Sequence, residues 1–153
     1  MAYVADLHLH SPHAIGTSTQ LTLENMAGWA RTKGIDLLAT GDFTHPIWFE
    51  EIRDQLEPIG DGLYEHGGCK FILGTEVNCS AEQGGRHRRV HILVFAPSID
   101  AVEQIGRFEQ EFLSEVRAGG ADILAAISAD GELSEDNDKK LAAMLDDFTK
   151  KFA

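Results

Sequence analysis

Three histidines fall within six positions in the stretch ADLHLHSPHA, at His8, His10 and His13. His8 and His10 alternate with Leu7 and Leu9. On a β-strand this alternation sends both imidazoles from one face, with their backbones about 7 Å apart. That separation suits two ligands of one metal ion. Further candidate ligands recur along the chain: Asp42 and His45 in GDFTH, Glu76 in GTEV, and His91 in RVHILV. A mixed imidazole and carboxylate set suits Zn2+, Mn2+ or Fe2+ better than Ca2+ or Mg2+. Each residue alone has a plainer reading, as a surface group or a hydrogen-bonded core group. Their recurrence at four successive strands is what points to one metal site.

The elements that must position these groups follow from patterning. Residues 2–9 read as a strand with Val4, Asp6, His8 and His10 on one face. Thr22 suits an N-cap, and Leu23, Met26, Ala27 and Ala30 form a helical stripe that Gly34 closes. IDLLAT (35–40) reads as a second strand, and Pro46 opens a helix running to about Leu56. Residues 57–68 read as a loop. KFILGTEV (70–77) and RVHILVFA (89–96) read as third and fourth strands around a turn at 81–88. Alternation of strands and helices implies parallel pairing for the first strands, while the last two could form a hairpin. After Pro97 the chain reads as wholly helical. Ser98 caps one helix, carrying Ile105, Phe108, Phe112 and Val116. ADILAAIS is a second helix. Ser134 caps a third, with Leu141, Met144, Leu145, Phe148 and Phe152 on one face.

Composition sets bounds on function. The 153 residues suit one domain of ordinary size and carry a net charge of −12. Such a surface repels polyphosphate at long range and favours metal cations or a basic partner. No apolar run approaches the ~20 residues of a membrane span. The start lacks the basic and apolar regions of a secretory leader. A cytoplasmic protein without membrane contact is expected. Cys69 and Cys79 match no zinc-knuckle spacing and are expected to be reduced and partly buried. GGRHRR (84–89) is the basic cluster of the first part. Its Arg86, Arg88 and Arg89 would either meet a phosphate or remain solvated. Trp48 and Phe49 could stack on a base, but their helix also carries Ile52 and Leu56, so core packing is expected.

The motifs DLHLHS, GIDLLATGDFTHP, GTEV and RVHILVFAPS together resemble the PHP (polymerase and histidinol phosphatase) metallo-phosphoesterase family. LTLENMAGWARTKGIDLLATGDFTHPIWFEEI resembles its endonuclease Q branch, which cuts DNA beside deaminated bases. The resemblance covers about residues 1–104. It implies a partial βα barrel of about four strands, a mostly parallel open α/β sheet, with a metal site at the strand C-termini. Carried over by position, His8 and His10 match the first ligand pair, and Asp42 and His45 the second motif. Glu76 matches the bridging carboxylate and His91 the histidine that follows. The cofactor implied is Zn or Mn, one or two ions in an incomplete site. No catalytic residue is implied beyond the ligands, and the substrate class is a phosphodiester, DNA by resemblance. The family pattern continues with a later histidine and an Asp-x-His pair, whereas no histidine follows His91. Hydrolysis is therefore expected to be weak or absent.

Residues 105–153 resemble the C-terminus of the α subunit of F-type ATP synthase, a helical segment without catalytic residues. The chain thus reads as a chimera joined near 103–106, with the helical segment packed on the open sheet. Two other readings stand beside the metal hydrolase. One is a small acidic binding protein, inhibitor-like or antitoxin-like, that neutralises a basic protein partner. The other is an artificial fusion without evolved function. A homo-oligomer would be a further way to cover the open sheet.

Overall fold

The computed structural model describes residues 3–152, with the side chains of 81–83 left aside. The chain divides between Val102 and Glu103 into two compact units. The first holds β1 (Ala5–Asp6), α1 (Leu23–Lys33), β2 (Leu37–Ala39), α2 (Pro46–Gln55), β3 (Glu57–Gly60), β4 (Leu63–His66), β5 (Cys69–Gln83) and β6 (Arg86–Ala96). The remaining helices are α3 (Ile99–Gly119), α4 (Ala121–Asp130) and α5 (Glu135–Lys151).

The sheet order is β1-β2-β5-β4-β3, with β6 also on β5. The pairs β1–β2 and β2–β5 are parallel, and the β3–β4, β4–β5 and β5–β6 pairs are antiparallel. The sheet is therefore open and α/β, as expected, but its pairing is mixed rather than mostly parallel, and it has six strands rather than about four. The two additional strands occupy residues 57–68, read from the sequence as loop. Their turn is Asp61-Gly62, with both residues at positive φ, +52° and +73°. That is the backbone of a two-residue hairpin whose twist matches its strands. Gly67-Gly68 and Gly84-Gly85 repeat the device. The expected turn at 81–88 contracts accordingly to Gly84-Gly85, and β5 and β6 run long on either side of it.

The strand expected at 2–9 is shorter than its alternation suggests. Position 2 lies outside the described residues, and regular pairing covers Ala5 and Asp6 against Leu37 and Leu38. Beyond Asp6 the chain passes over the loop that follows β2. A side chain added at Gly41 would stand 2.3 Å from the Leu9 carbonyl oxygen, so only glycine admits this crossing.

Helix α1 forms as its sequence dictates. The Thr22 side chain accepts from the Asn25 N–H, and Gly34 closes the helix at φ +71°. Leu23, Met26, Ala27 and Ala30 face a core with Leu38, Phe43, Trp48, Ile52, Phe71 and Leu73. Trp48 is fully buried, and its indole N–H is shared between the Thr40 and Gly41 carbonyls at 3.2 and 3.0 Å. It is thus a core residue, as expected. Cys69 is buried, whereas Cys79, expected to be partly buried, is exposed; both are free thiols.

Within the second unit, Phe108, Phe112, Phe148 and Phe152 pack ring on ring with centroids 5.0–6.2 Å apart. Ser134 caps α5 by accepting from the Asn137 N–H. Among the described residues no helix is long and apolar enough to cross a membrane.

Candidate metal centre

Glu76 is the hub of the site. It extends from β5 just past the register with β2, and its side chain keeps 10% of its exposure. The His8 Nε2 lies 2.7 Å from Glu76 Oε2, and the His10 Nε2 lies 3.3 Å from the same oxygen. His91 Nδ1 contacts the other oxygen, Oε1. Residues opposite one another in an antiparallel pair share a face. Glu76 faces Leu93 and Asn78 faces His91, so Glu76 and His91 meet on a diagonal. Three imidazoles thereby converge on one carboxylate.

His8, His10 and Glu76 offer ligand atoms all within 4.8 Å of one another. Two donors about 2.1 Å from a tetrahedral ion stand roughly 3.4 Å apart. The separations at Glu76 Oε2, 2.7 and 3.3 Å, lie somewhat below and close to that value, so small shifts of the rings would let the donor set take a transition-metal ion.

Asp42 sits behind this group rather than in it. Its Oδ1 is 3.2 Å from His10 Nδ1, and its Oδ2 accepts the Ser11 N–H at 2.7 Å. Burial pushes the Asp42 carboxyl up. Hydrogen bonds from the Ser11 backbone and hydroxyl, with the His10 ring, outweigh that and hold it below its ordinary value. An ionised carboxylate accepts only, so it selects the Nδ1–H form of His10. The His10 Nε2 then presents a lone pair to Glu76 Oε2. Two acceptors at 3.3 Å need a cation between them, a proton or a metal ion.

His45 goes elsewhere. Its Nδ1 accepts the Trp48 N–H at 3.4 Å, so it caps α2. Its ring stacks on His13, centroids 4.5 Å apart and nearly parallel. His13 Nε2 lies 3.5 Å from Glu51 Oε1. Ser11, His13, Asp42, Thr44 and His45 line an open cleft of about 370 Å³. The pairing of His13 with His45 was not read from the sequence. One signal was available: a histidine immediately before Pro46 stands where a helix N-cap belongs. Arg86, Arg88 and Arg89 lie at the far end of the β5–β6 ribbon, all exposed.

No family model matches the chain. The fold is similar to the lesion-specific endonuclease PfuEndoQ from Pyrococcus furiosus, with TM-score 0.57 and 35% identity, covering 73% of this chain and 26% of that one. It is also similar to an endonuclease Q solved with a 27-mer duplex bearing an abasic lesion at its active site. There the TM-score is 0.56 and the identity 38%, over 66% of this chain and 24% of that one. An uncharacterized protein of Methanocaldococcus jannaschii is 30% identical over 136 residues, 84% of this chain and 15% of that protein. The ATP synthase α subunit of Mycolicibacterium vanbaalenii is 44% identical over 52 residues, 34% of this chain and 10% of that subunit. The chain thus spans about a quarter of the solved relatives and far less of the curated ones.

Proposed function

We propose that the first unit is a metal-binding fragment of a PHP-type phosphoesterase of the endonuclease Q kind. The observation that carries this reading is the convergence of His8, His10 and His91 on Glu76. In this reading His8, His10 and Glu76 hold a first Zn2+ or Mn2+, and His91 closes the outer side of Glu76. Asp42 serves the site by orienting His10. His13 and His45, side by side in the adjoining cleft, are the natural donors to a second ion.

Such ions supply Lewis acidity toward a phosphate oxygen and an activated water. The residues themselves bind, orient and shield. Glu76 is held nearly out of solvent, Asp42 fixes a ring, and in this reading the described side chains serve as ligands and positioning groups. The endonuclease Q relative engages a DNA duplex, and a phosphodiester is the substrate class proposed here. Few donors are available to close the cage, so binding is the principal property and hydrolysis is slow or absent. The join near 103–106 carries an ATP synthase-like helical segment as a separate unit.

The test is metal content. Purified protein reconstituted with Zn2+ or Mn2+ and desalted should retain about one ion per chain, and the His8→Ala, His10→Ala double variant none. Wild-type protein that stays metal-free would overturn the reading. A chelator-insensitive, salt-sensitive complex with a basic protein would support the acidic-binder reading that the charge of −12 suggests.

A further inference from the structure

The β5–β6 ribbon runs past the rest of the sheet with one margin open. On β5, β4 takes Cys69–Phe71 and β6 takes Leu73–Gln83. The other margin of β5 is held by β2 and the loop after it. There the Thr40 N–H donates to the Ile72 carbonyl at 2.9 Å, and the Phe43 N–H to the Gly74 carbonyl at 3.3 Å. β6 therefore continues the β4 side of β5, and the slot beyond β6 is in line with β3. Among the described residues no strand fills that slot. A ribbon of two strands is marginally stable by itself in water. Val90, Ile92 and Val94 share one face of β6 by period two, and all three are exposed.

Charge changes sign along this margin. Arg86 and Arg88 stand exposed at the tip, on the face of the three aliphatic residues. The base is acidic. The β3–β4 turn abuts it, because a Cβ on Gly62 would stand 3.1 Å from the Pro97 carbonyl oxygen. That turn carries Asp61, and Asp100 follows in the first turn of α3; both are exposed. None of these four charged side chains makes an ion pair with a described residue.

A second copy of the chain is the occupant that this pattern fits. Laid antiparallel in the slot, the β6 of another copy brings its arginine tip against the acidic base, and a two-fold axis repeats the contact at the other end. A parallel copy would set arginine beside arginine at about 4.8 Å. A partner of one charge sign would satisfy one end and oppose the other. Elsewhere the chain, at net charge −12, repels its own copies. Because side chains alternate, the register that keeps Val90, Ile92 and Val94 of both copies on one face keeps both Glu76 carboxylates on the other.

We propose that β6 pairs antiparallel with β6 of a second copy, making a four-stranded ribbon whose ends are held by Arg86 and Arg88 of one copy against Asp61 and Asp100 of the other. The two-fold uses up the open margin of each β6, so the assembly stops at a dimer. The pairing goes beyond the metal reading and needs no ion.

The experiment is sedimentation equilibrium of the full chain in chelator, from about 50 to 300 mM salt. The wild type should be a dimer that weakens as salt rises. The Arg86→Glu, Arg88→Glu variant should self-associate roughly tenfold more weakly or worse, because attraction becomes repulsion at both ends. Asp61→Asn, Asp100→Lys should do the same, and asparagine tolerates the φ of +52° at residue 61. An equimolar mixture of the two variants should form a heterodimer, since each acidic end again faces a cationic one. Circular dichroism checks that each variant is folded, and Arg88→Glu and Asp100→Lys alone replace any that is not. A wild type that stays monomeric to about 0.1 mM would overturn the proposal. So would variants that dimerise undiminished, a mixture that fails to pair, or assembly that continues past two copies.

Discussion

His10 Nδ1 lies 3.2 Å from Asp42 Oδ1, while the other ring nitrogen of His10 faces Glu76. One imidazole is thereby held from both ends, and the carboxylate behind it decides which nitrogen is free to bind. Asp42→Asn tests this with little disturbance, because asparagine tolerates the left-handed backbone that Asp42 adopts at φ +43°. The amide oxygen can keep the Ser11 N–H. The amide NH2 then meets His10 Nδ1 and forces the proton onto Nε2. Zn2+ affinity by titration calorimetry should fall about 10–100-fold, with an unchanged circular dichroism spectrum. Undiminished affinity would remove Asp42 from the site.

The carboxyl of Asp42 also has a pH signature. Its folded value is depressed, so its stabilisation is complete above about pH 4 and is lost as pH falls below the unfolded value. The urea midpoint of the wild type should drop along this acid limb, and that of Asp42→Asn should drop less. Identical acid limbs would contradict the hydrogen-bonded arrangement around Ser11.

Glu76→Gln should abolish the metal-induced rise in melting temperature, since the one carboxylate shared by three histidines becomes a neutral amide. Without metal, the variant should still fold, because glutamine keeps the size of the side chain and an acceptor oxygen toward the histidines; altering a nearly buried hydrogen-bonding group costs about 1–3 kcal/mol at most. A metal-induced rise that survives the substitution would mean that the ion binds elsewhere.

Gly41→Ala should be costly although it adds only one methyl group. Gly41 has φ +67°, and the new Cβ would stand 2.3 Å from the Leu9 oxygen and 2.9 Å from the His10 Cα. Strain of this kind costs on the order of 1–3 kcal/mol before any clash is relieved. The urea midpoint should fall, and metal affinity should fall with it, because relief displaces His10. A stable variant with intact metal binding would show that the crossing is looser than described.

The two thiols should react at different rates. Cys79 is exposed, and Cys69 is buried with its thiol pushed up by burial. With a disulfide reagent at pH 8, one thiol should react at once and the second only on unfolding. The raised Cys69 value means its burial costs nothing while both states are neutral, and stability declines above about pH 8.5 as the unfolded thiol ionises. Two fast thiols in the native protein would contradict the placement of Cys69.

Much of this site was legible because it is built from strand-end residues. His8, His10, Glu76 and His91 were marked by residue type and alternation, and the structure brings them together. Asp42 and His45 were marked too, but period and spacing do not say which atom of a side chain faces which neighbour. Asp42 stands behind His10, and His45 caps α2 beside His13. The open α/β sheet and its parallel β1–β2–β5 part followed from the order of elements, whereas the antiparallel β3 and β4 did not. Their apolar alternation is weak, with Pro58 in one strand and two acidic residues among eight positions. What builds them is turn chemistry at Asp61-Gly62, a short signal easily read as loop.

The outer margin of β6 carries no partner strand among the described residues. Eleven residues with Val90, Ile92 and Val94 exposed would ordinarily invite another copy to add itself, strand by strand, into a growing ribbon. Arg86, Arg88 and Arg89 stand at the end of that margin, and their mutual repulsion is what discourages parallel, in-register growth. Concentrated salt, which screens such repulsion within about 3 Å at 1 M, is therefore the condition under which this protein would be hardest to keep dispersed.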